Sequence, residues 1–178
     1  LFVNARIVTP IDKGKPSSGK DQGLVQSYER GSVYCVDGII KEVGEEERIK
    51  KLVCDGKVDM VVNCEGMCMI PGFVDPHTHM CFASRREEEF SMRLRGASYM
   101  EIHKRGGGIL SSVRSLRDSG EEDLFLTTLS NVESALSMGT TTVEIKSGYG
   151  LDTENELKML RVIRRIGLET PLDVIPTF

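Results

Sequence analysis

No apolar run in this chain reaches the roughly 18 residues that a membrane-spanning helix needs, and no charged-then-apolar leader opens it. Both absences argue against membrane insertion and export and predict a cytoplasmic protein. No block of Lys and Arg stands out. The 23 basic and 27 acidic residues leave a net charge of −4, so nucleic acid is not an expected partner. Cysteine supplies no framework either. The five residues Cys35, Cys54, Cys64, Cys68 and Cys81 are an odd number at irregular spacing, and Cys64 and Cys68 lack a second pair to complete a four-ligand zinc site. They read as reduced thiols. The run Gly106-Gly107-Gly108 has no strand leading into it and no Gly-Lys-Ser/Thr after it, which excludes a phosphate cradle and leaves a helix stop and a mobile loop.

What is present suffices for one ordinary domain with a sizeable core: 178 residues, 39% apolar and 28% charged, too apolar for a disordered chain. The first residue is Leu1 rather than Met, which predicts that further residues precede it.

The first 70 residues read as a small β-rich unit. Residues 2–8 alternate weakly and stop before Pro10. Residues 12–22 are too polar to bury and predict a loop. Residues 32–36 and 38–43 flank Asp37-Gly38, a hairpin signal. A short helix over 45–52 and a strand over 57–63 complete the unit.

At Pro71 the pattern changes, giving a second unit over 71–178. Residues 69–74 are mostly apolar with a polar end, as in a parallel strand buried on both faces. Helices are predicted over 87–95 and 98–105. Ser119 with Glu122 predicts a capping box for a helix whose apolar face is Phe125, Leu129, Val132 and Leu136, with Gly139 as terminator. Residues 140–146 are β-branched and predict a strand. Thr153 with Glu156 predicts a second capping box, before a stripe of Leu157, Leu160, Ile163 and Ile166. Residues 172–178 begin another strand. Such alternation implies parallel βαβ units. About three strands of this kind cannot close a (β/α)8 barrel, which takes roughly 250 residues. The expected fold is therefore α/β, an incomplete (β/α)8 barrel preceded by part of a small β-rich domain, with an open three-layer α/β domain as the alternative.

His77 and His79 carry the sharpest chemical signal. Residues i and i+2 of a strand share a face, so both imidazoles can converge on one cation. Strand ends are where barrel enzymes place their chemistry. On spacing alone, a pair hydrogen-bonded in a turn remains the competing outcome.

The segment Pro71-Gly72-Phe73-Val74-Asp75-Pro76-His77-Thr78-His79 resembles the first-strand signature of metal-dependent amidohydrolases. So do Asn4-Ala5-Arg6-Ile7-Val8 and Asp37-Gly38-Ile39-Ile40 upstream, which in that superfamily belong to a small β domain completed by C-terminal strands. Three further segments are similar to the imidazolonepropionase family: Gly96-Ala97-Ser98-Tyr99-Met100-Glu101-Ile102 running into Gly106-Gly107-Gly108-Ile109-Leu110, Thr142-Val143-Glu144-Ile145-Lys146-Ser147-Gly148-Tyr149-Gly150, and Glu156-Leu157-Lys158-Met159-Leu160-Arg161-Val162. The resemblance covers nearly the whole chain.

The resemblance implies hydrolytic opening of the imidazolone ring of 4-imidazolone-5-propanoate to N-formimino-L-glutamate, in histidine degradation. It implies one divalent metal, zinc in preference to iron, with His77 and His79 among its ligands. The remaining ligands and the acid–base residue are expected beyond Phe178. Arg86 falls where the family binds its substrate; Arg85 is an alternative, and two solvated arginines pairing with residues 87–89 are the bland outcome. Tyr149 is implied as a substrate contact, against a tyrosine that only braces its loop. Lys146 is expected to be structural and His103 to lie on a solvated helix face. The expected partner is the small-molecule substrate, with no nucleic acid and no membrane, and a homodimer is admissible. The rivals are an amidohydrolase acting on a purine or another cyclic amide, and a non-catalytic barrel fragment. Residues 1–178 alone are expected to be inactive and prone to association through unpaired strand edges.

Overall fold

The computed structural model describes residues 1–178 except 54, 55 and 57. It divides into two compact units, Leu1–Pro71 and Gly72–Phe178. Among the described residues, no helix is long and apolar enough to cross a membrane.

The first unit is a five-stranded sheet. Strands β1 (Phe2–Pro10), β2 (Val25–Val36) and β3 (Ile39–Glu45) form an antiparallel meander. The short β4 (Val62–Asn63) and β5 (Cys68–Met69) pair with β1 in parallel. The hairpin turn falls where expected: Asp37 and Gly38 have φ of 52° and 76°, the left-handed pair that matches strand twist. β2 starts at Val25, well before the predicted 32, because pairing with β1 holds polar residues that alternation alone would leave out. The predicted helix is α1 (Glu46–Val53). The strand expected over 57–63 is observed only as β4, and Lys57 lies outside the described residues. Ala5, Ile7, Val33 and Cys64 form the core.

The register of β1 is broken on both sides of Ala5. There Asn4 takes φ 61°, and its N–H donates to Glu46 Oε2 at 2.9 Å. A buried carboxylate on α1 thus satisfies a donor that the bulge removes from the ladder.

In the second unit, β6 (Phe73–Thr78), β7 (Thr140–Lys146) and β8 (Asp173–Thr177) form a parallel sheet in that order. The run expected as one strand over 69–74 is divided, Met69 belonging to β5 and Phe73 opening β6. Among the described residues β6 is not buried on both faces: Phe73 is 53% and Val74 65% exposed. Between β6 and β7 lie α2 (Glu87–Leu94), α3 (Tyr99–Lys104), α4 (Ile109–Asp118) and α5 (Glu121–Ser137); α6 (Thr153–Glu169) joins β7 to β8. Only α4 was not legible as a helix, although Val113 and Leu116 of its buried face stand three residues apart.

The core gathers Leu116, Leu124, Phe125 and Val132 from the helices before β7, Val143 and Ile145 from β7, and Met159, Val162, Ile163 and Ile166 from α6. The buried stripe of α6 is rotated from the expected one, with Met159 and Val162 inside and Leu157 49% exposed. Neither predicted capping box forms. α5 starts after Gly120 with no side-chain cap, and Asp152 caps α6 through the Asn155 N–H. A capping box exists instead at Ser98 and Glu101, on α3.

Candidate functional site

β7 sets the site's layout. Val143 and Ile145 point into the helical layer and are fully buried, whereas Thr142, Glu144 and Lys146, alternating with them, are only partly covered. Glu144 stands between the ends of all three strands of the sheet. Its carboxylate accepts from the Thr78 N–H at 3.2 Å and from the Thr177 hydroxyl, and its backbone oxygen accepts from Thr78 Oγ1 at 2.7 Å. His77 Nδ1 lies 3.6 Å from Glu144 Oε2. The Thr177 hydrogen bond first, then the Thr78 N–H and the His77 and Lys146 charges, hold this carboxyl below the usual range against some desolvation.

His77 and His79 bracket Thr78 at the end of β6, with ring centroids 5.2 Å apart at 85°. His79 is depressed below the ordinary imidazole value, first by burial and then by the charges of His77 and Lys146, against the pull of Glu144. Burial thus disfavours its charged form, and the neutral imidazole is the form that binds a cation. Among the described residues its Nδ1 is buried without a hydrogen-bond partner, a condition that native structures seldom tolerate without a water, an ion or a functional role to account for it. These two side chains suit part of a divalent-metal donor set. Among the described residues, no group of three His, Cys, Asp or Glu could hold an ion.

His79 lines a cavity of about 340 Å³ together with Phe82, Arg85, Arg86, Ser112 and Tyr149. Three of the four sequence-predicted site residues therefore share one space, and the fourth, His77, adjoins it through the His79 ring. Arg86 faces Glu89 at 3.7 Å. Arg85, the alternative for the same role, is exposed, lines the same cavity and donates to Asn131 Oδ1 at 3.4 Å. Both arginines also line a second cavity of about 480 Å³, with Glu87, Glu88 and Glu89. That one has no histidine or tyrosine in its lining, and its acids offset its bases.

Tyr149 reaches the His79 ring at 5.3 Å from a sharply bent loop. Gly148 has φ 117° and Leu151 φ 53°, and a Cβ on Gly150 would lie 2.6 Å from the backbone nitrogen of Glu156. The Glu156 carboxylate accepts the N–H groups of Gly148 (2.8 Å), Gly150 (2.8 Å) and Leu151 (2.9 Å). Burial works against its charge, but these donors outweigh it and hold the group below the usual range. The buried Ser147 hydroxyl also favours the charge, from outside good hydrogen-bond geometry. Lys146 lies apart from the cavity, its Nζ donating to the Phe178 carbonyl at 2.6 Å, and His103 is exposed beside Tyr99 on α3.

Glu144 and Glu156 are the site residues that sequence reasoning missed. Both had a signal. Glu144 interrupts a β-branched strand, and Glu156 falls three residues before Met159 and seven before Ile163, on the buried face of α6.

No family model matches the chain. It is 60% identical over 178 residues to the imidazolonepropionase of Syntrophobacter fumaroxidans, covering 100% of this chain and 42% of that protein. It is 53% identical over the same length to the imidazolonepropionase of Desulfotalea psychrophila, covering 43% of it. The imidazolonepropionase of Clostridium tetani is 45% identical over 178 residues, with 42% covered. The chain thus spans about two-fifths of the length of these curated relatives. Among solved structures, E. coli guanine deaminase aligns with 98% of the chain and 36% of its own at a TM-score of 0.61. At 14% identity, that likeness concerns the fold alone.

Proposed function

The chain belongs to the imidazolonepropionase family, and on that premise we propose that the polypeptide carrying it hydrolyses 4-imidazolone-5-propanoate to N-formimino-L-glutamate, a step of histidine degradation, in the cytoplasm. The observation that carries this is the shared cavity of His79, Arg86 and Tyr149 beside His77. Water adds to the ring carbonyl carbon, the bond from that carbon to the ring nitrogen breaks, the carbon becomes the new carboxylate, and the released nitrogen stays in the formimino group.

Gly72–Phe178 supplies the first three βα units of a (β/α)8 barrel, and Leu1–Pro71 part of a small β-rich domain, on this proposal. His77 and His79 hold one divalent metal, zinc rather than iron. Such an ion lowers the pKa of bound water toward ~7 and polarises a carbonyl oxygen. Arg86 grips the propionate carboxylate, since a guanidinium can donate two parallel hydrogen bonds to it. Tyr149 closes the cavity over the substrate next to His79. The cavity lining includes no carboxylate, and the acid–base residue and further metal ligands are assigned beyond Phe178. A homodimer is compatible with all of this.

A substrate panel tests the assignment: 4-imidazolone-5-propanoate, guanine and an unrelated cyclic amide, offered to the full-length protein. Turnover of the first alone is expected. Turnover of guanine without the first would favour a purine aminohydrolase instead.

A further inference from the structure

We propose that Glu156 is the positioning residue for Tyr149: a buried carboxylate that fixes the 148–151 turn and so aims the phenol at the space beside His79. This rests on the substrate-contact role proposed for Tyr149, and takes it further by naming what makes that contact specific.

Three backbone donors converge on the two carboxylate oxygens, those of Gly148, Gly150 and Leu151. They flank Tyr149 on both sides, so the one residue between them has little freedom left in its backbone. The turn needs such a clamp because its conformation is unfavourable in itself, with Leu151 in the left-handed region at φ 53°. A second anchor holds the same turn from α4: Arg117 Nε donates to the Gly150 carbonyl at 2.9 Å, and its Nη2 pairs with Asp152 at 3.0 Å. The Tyr149 side chain packs against the buried cluster of the second unit, and its ring meets His79 at 5.3 Å. A phenol delivered by a loosely held loop would lose entropy on each binding event, and a pre-formed turn removes that cost.

Glu156 touches no part of the cavity itself, and α6 has its own cap in Asp152. A helix-capping role therefore does not account for a carboxylate buried on its apolar face. An amide at this position has nearly the same shape but turns an NH2 group toward N–H donors, so Glu156→Gln releases one side of the turn without opening a cavity.

The test labels the tyrosines of the full-length protein, the four of this chain among them, with 3-fluorotyrosine and assigns the Tyr149 resonance with Tyr149→Phe. In E156Q the Tyr149 signal is expected to shift and broaden while the other tyrosine signals stay in place. KM for 4-imidazolone-5-propanoate should rise about tenfold with kcat within about twofold, and the E156Q/Y149F double variant should lose little beyond either single one. An unmoved Tyr149 signal in E156Q, or fully additive losses in the double variant, overturns the proposal. If E156Q shifts every tyrosine, the milder Glu156→Asp decides: it must move the Tyr149 signal alone, and the proposal fails if it does not. Normal kinetics in Y149F would remove the substrate-contact role, while the fluorine signal still decides whether Glu156 positions the ring.

Discussion

The rings of His79 and Tyr149 lie 5.3 Å apart with a tilt of 48°, one carried by the end of β6 and the other by the turn after β7. Neighbouring parallel strands thus bring an imidazole and a phenol to the same cavity, although 70 positions separate them in the chain.

Replacing both His77 and His79 with alanine is expected to remove the metal from the full-length protein. Elemental analysis after gel filtration reads this directly. Full metal content in the double variant would show that the pair is a hydrogen-bonded turn and nothing more.

Arg86→Ala should lower kcat/KM for 4-imidazolone-5-propanoate by roughly ten- to a hundredfold, the loss of about 1.5–3 kcal/mol for a hydrogen bond to a charged group. Arg85→Ala should cost much less. The two share the cavity, so the reverse order of effects would transfer the role to Arg85.

Cys81 is fully buried, and burial pushes its thiol up to about 12. At pH 8 iodoacetamide should label the exposed Cys68 in the native protein and leave Cys81 untouched until denaturant is added, because only the thiolate reacts. Mass spectrometry of the peptides distinguishes them, and rapid native labelling of Cys81 would contradict this burial.

Glu46 is 3% exposed, and its carboxyl is held below the usual range, first by the Lys50 hydrogen bond and also by the Asn4 N–H and the Arg30 charge, against desolvation. A depressed carboxyl binds protons less readily in the folded state. Its stabilisation is therefore fully present above the ordinary glutamate value of about 4.3 and is lost as pH falls through the folded value. Glu46→Gln should flatten this part of the acid limb: urea midpoints at pH 7 and pH 3.5 should differ less in the variant than in the parent. An unchanged difference would place the acid sensitivity elsewhere.

Much of the architecture was legible because local rules and packing agree there. The Asp37-Gly38 turn, the β7 strand and the Gly139 stop each follow from backbone preferences that the tertiary structure leaves alone. The Thr153–Glu156 capping box failed for a nameable reason: Glu156 fits the spacing, but three N–H groups in the preceding turn compete for the same carboxylate. β6 misled because an apolar run does not say where one strand ends and the next begins: Met69 pairs with β1 in the first unit, and Phe73 opens β6 in the second. Of the candidate site, His77, His79, Arg86 and Tyr149 were visible through their motifs. Glu144 was not singled out, since its partners Thr78 and Thr177 come from strands far away in sequence.

The alternation along β7 has an evolutionary consequence. Val143 and Ile145 serve the helical layer, while Glu144 between them ties the strand ends. One short strand therefore keeps two separate ledgers of constraint. Substitutions at odd positions are judged by volume and hydrophobicity, and those at even positions by hydrogen-bonding geometry. A lineage can drift in the first set, trading one aliphatic side chain for another, without disturbing the second. New chemistry at this end of the sheet would correspondingly begin at the even positions, with the fold left as it stands.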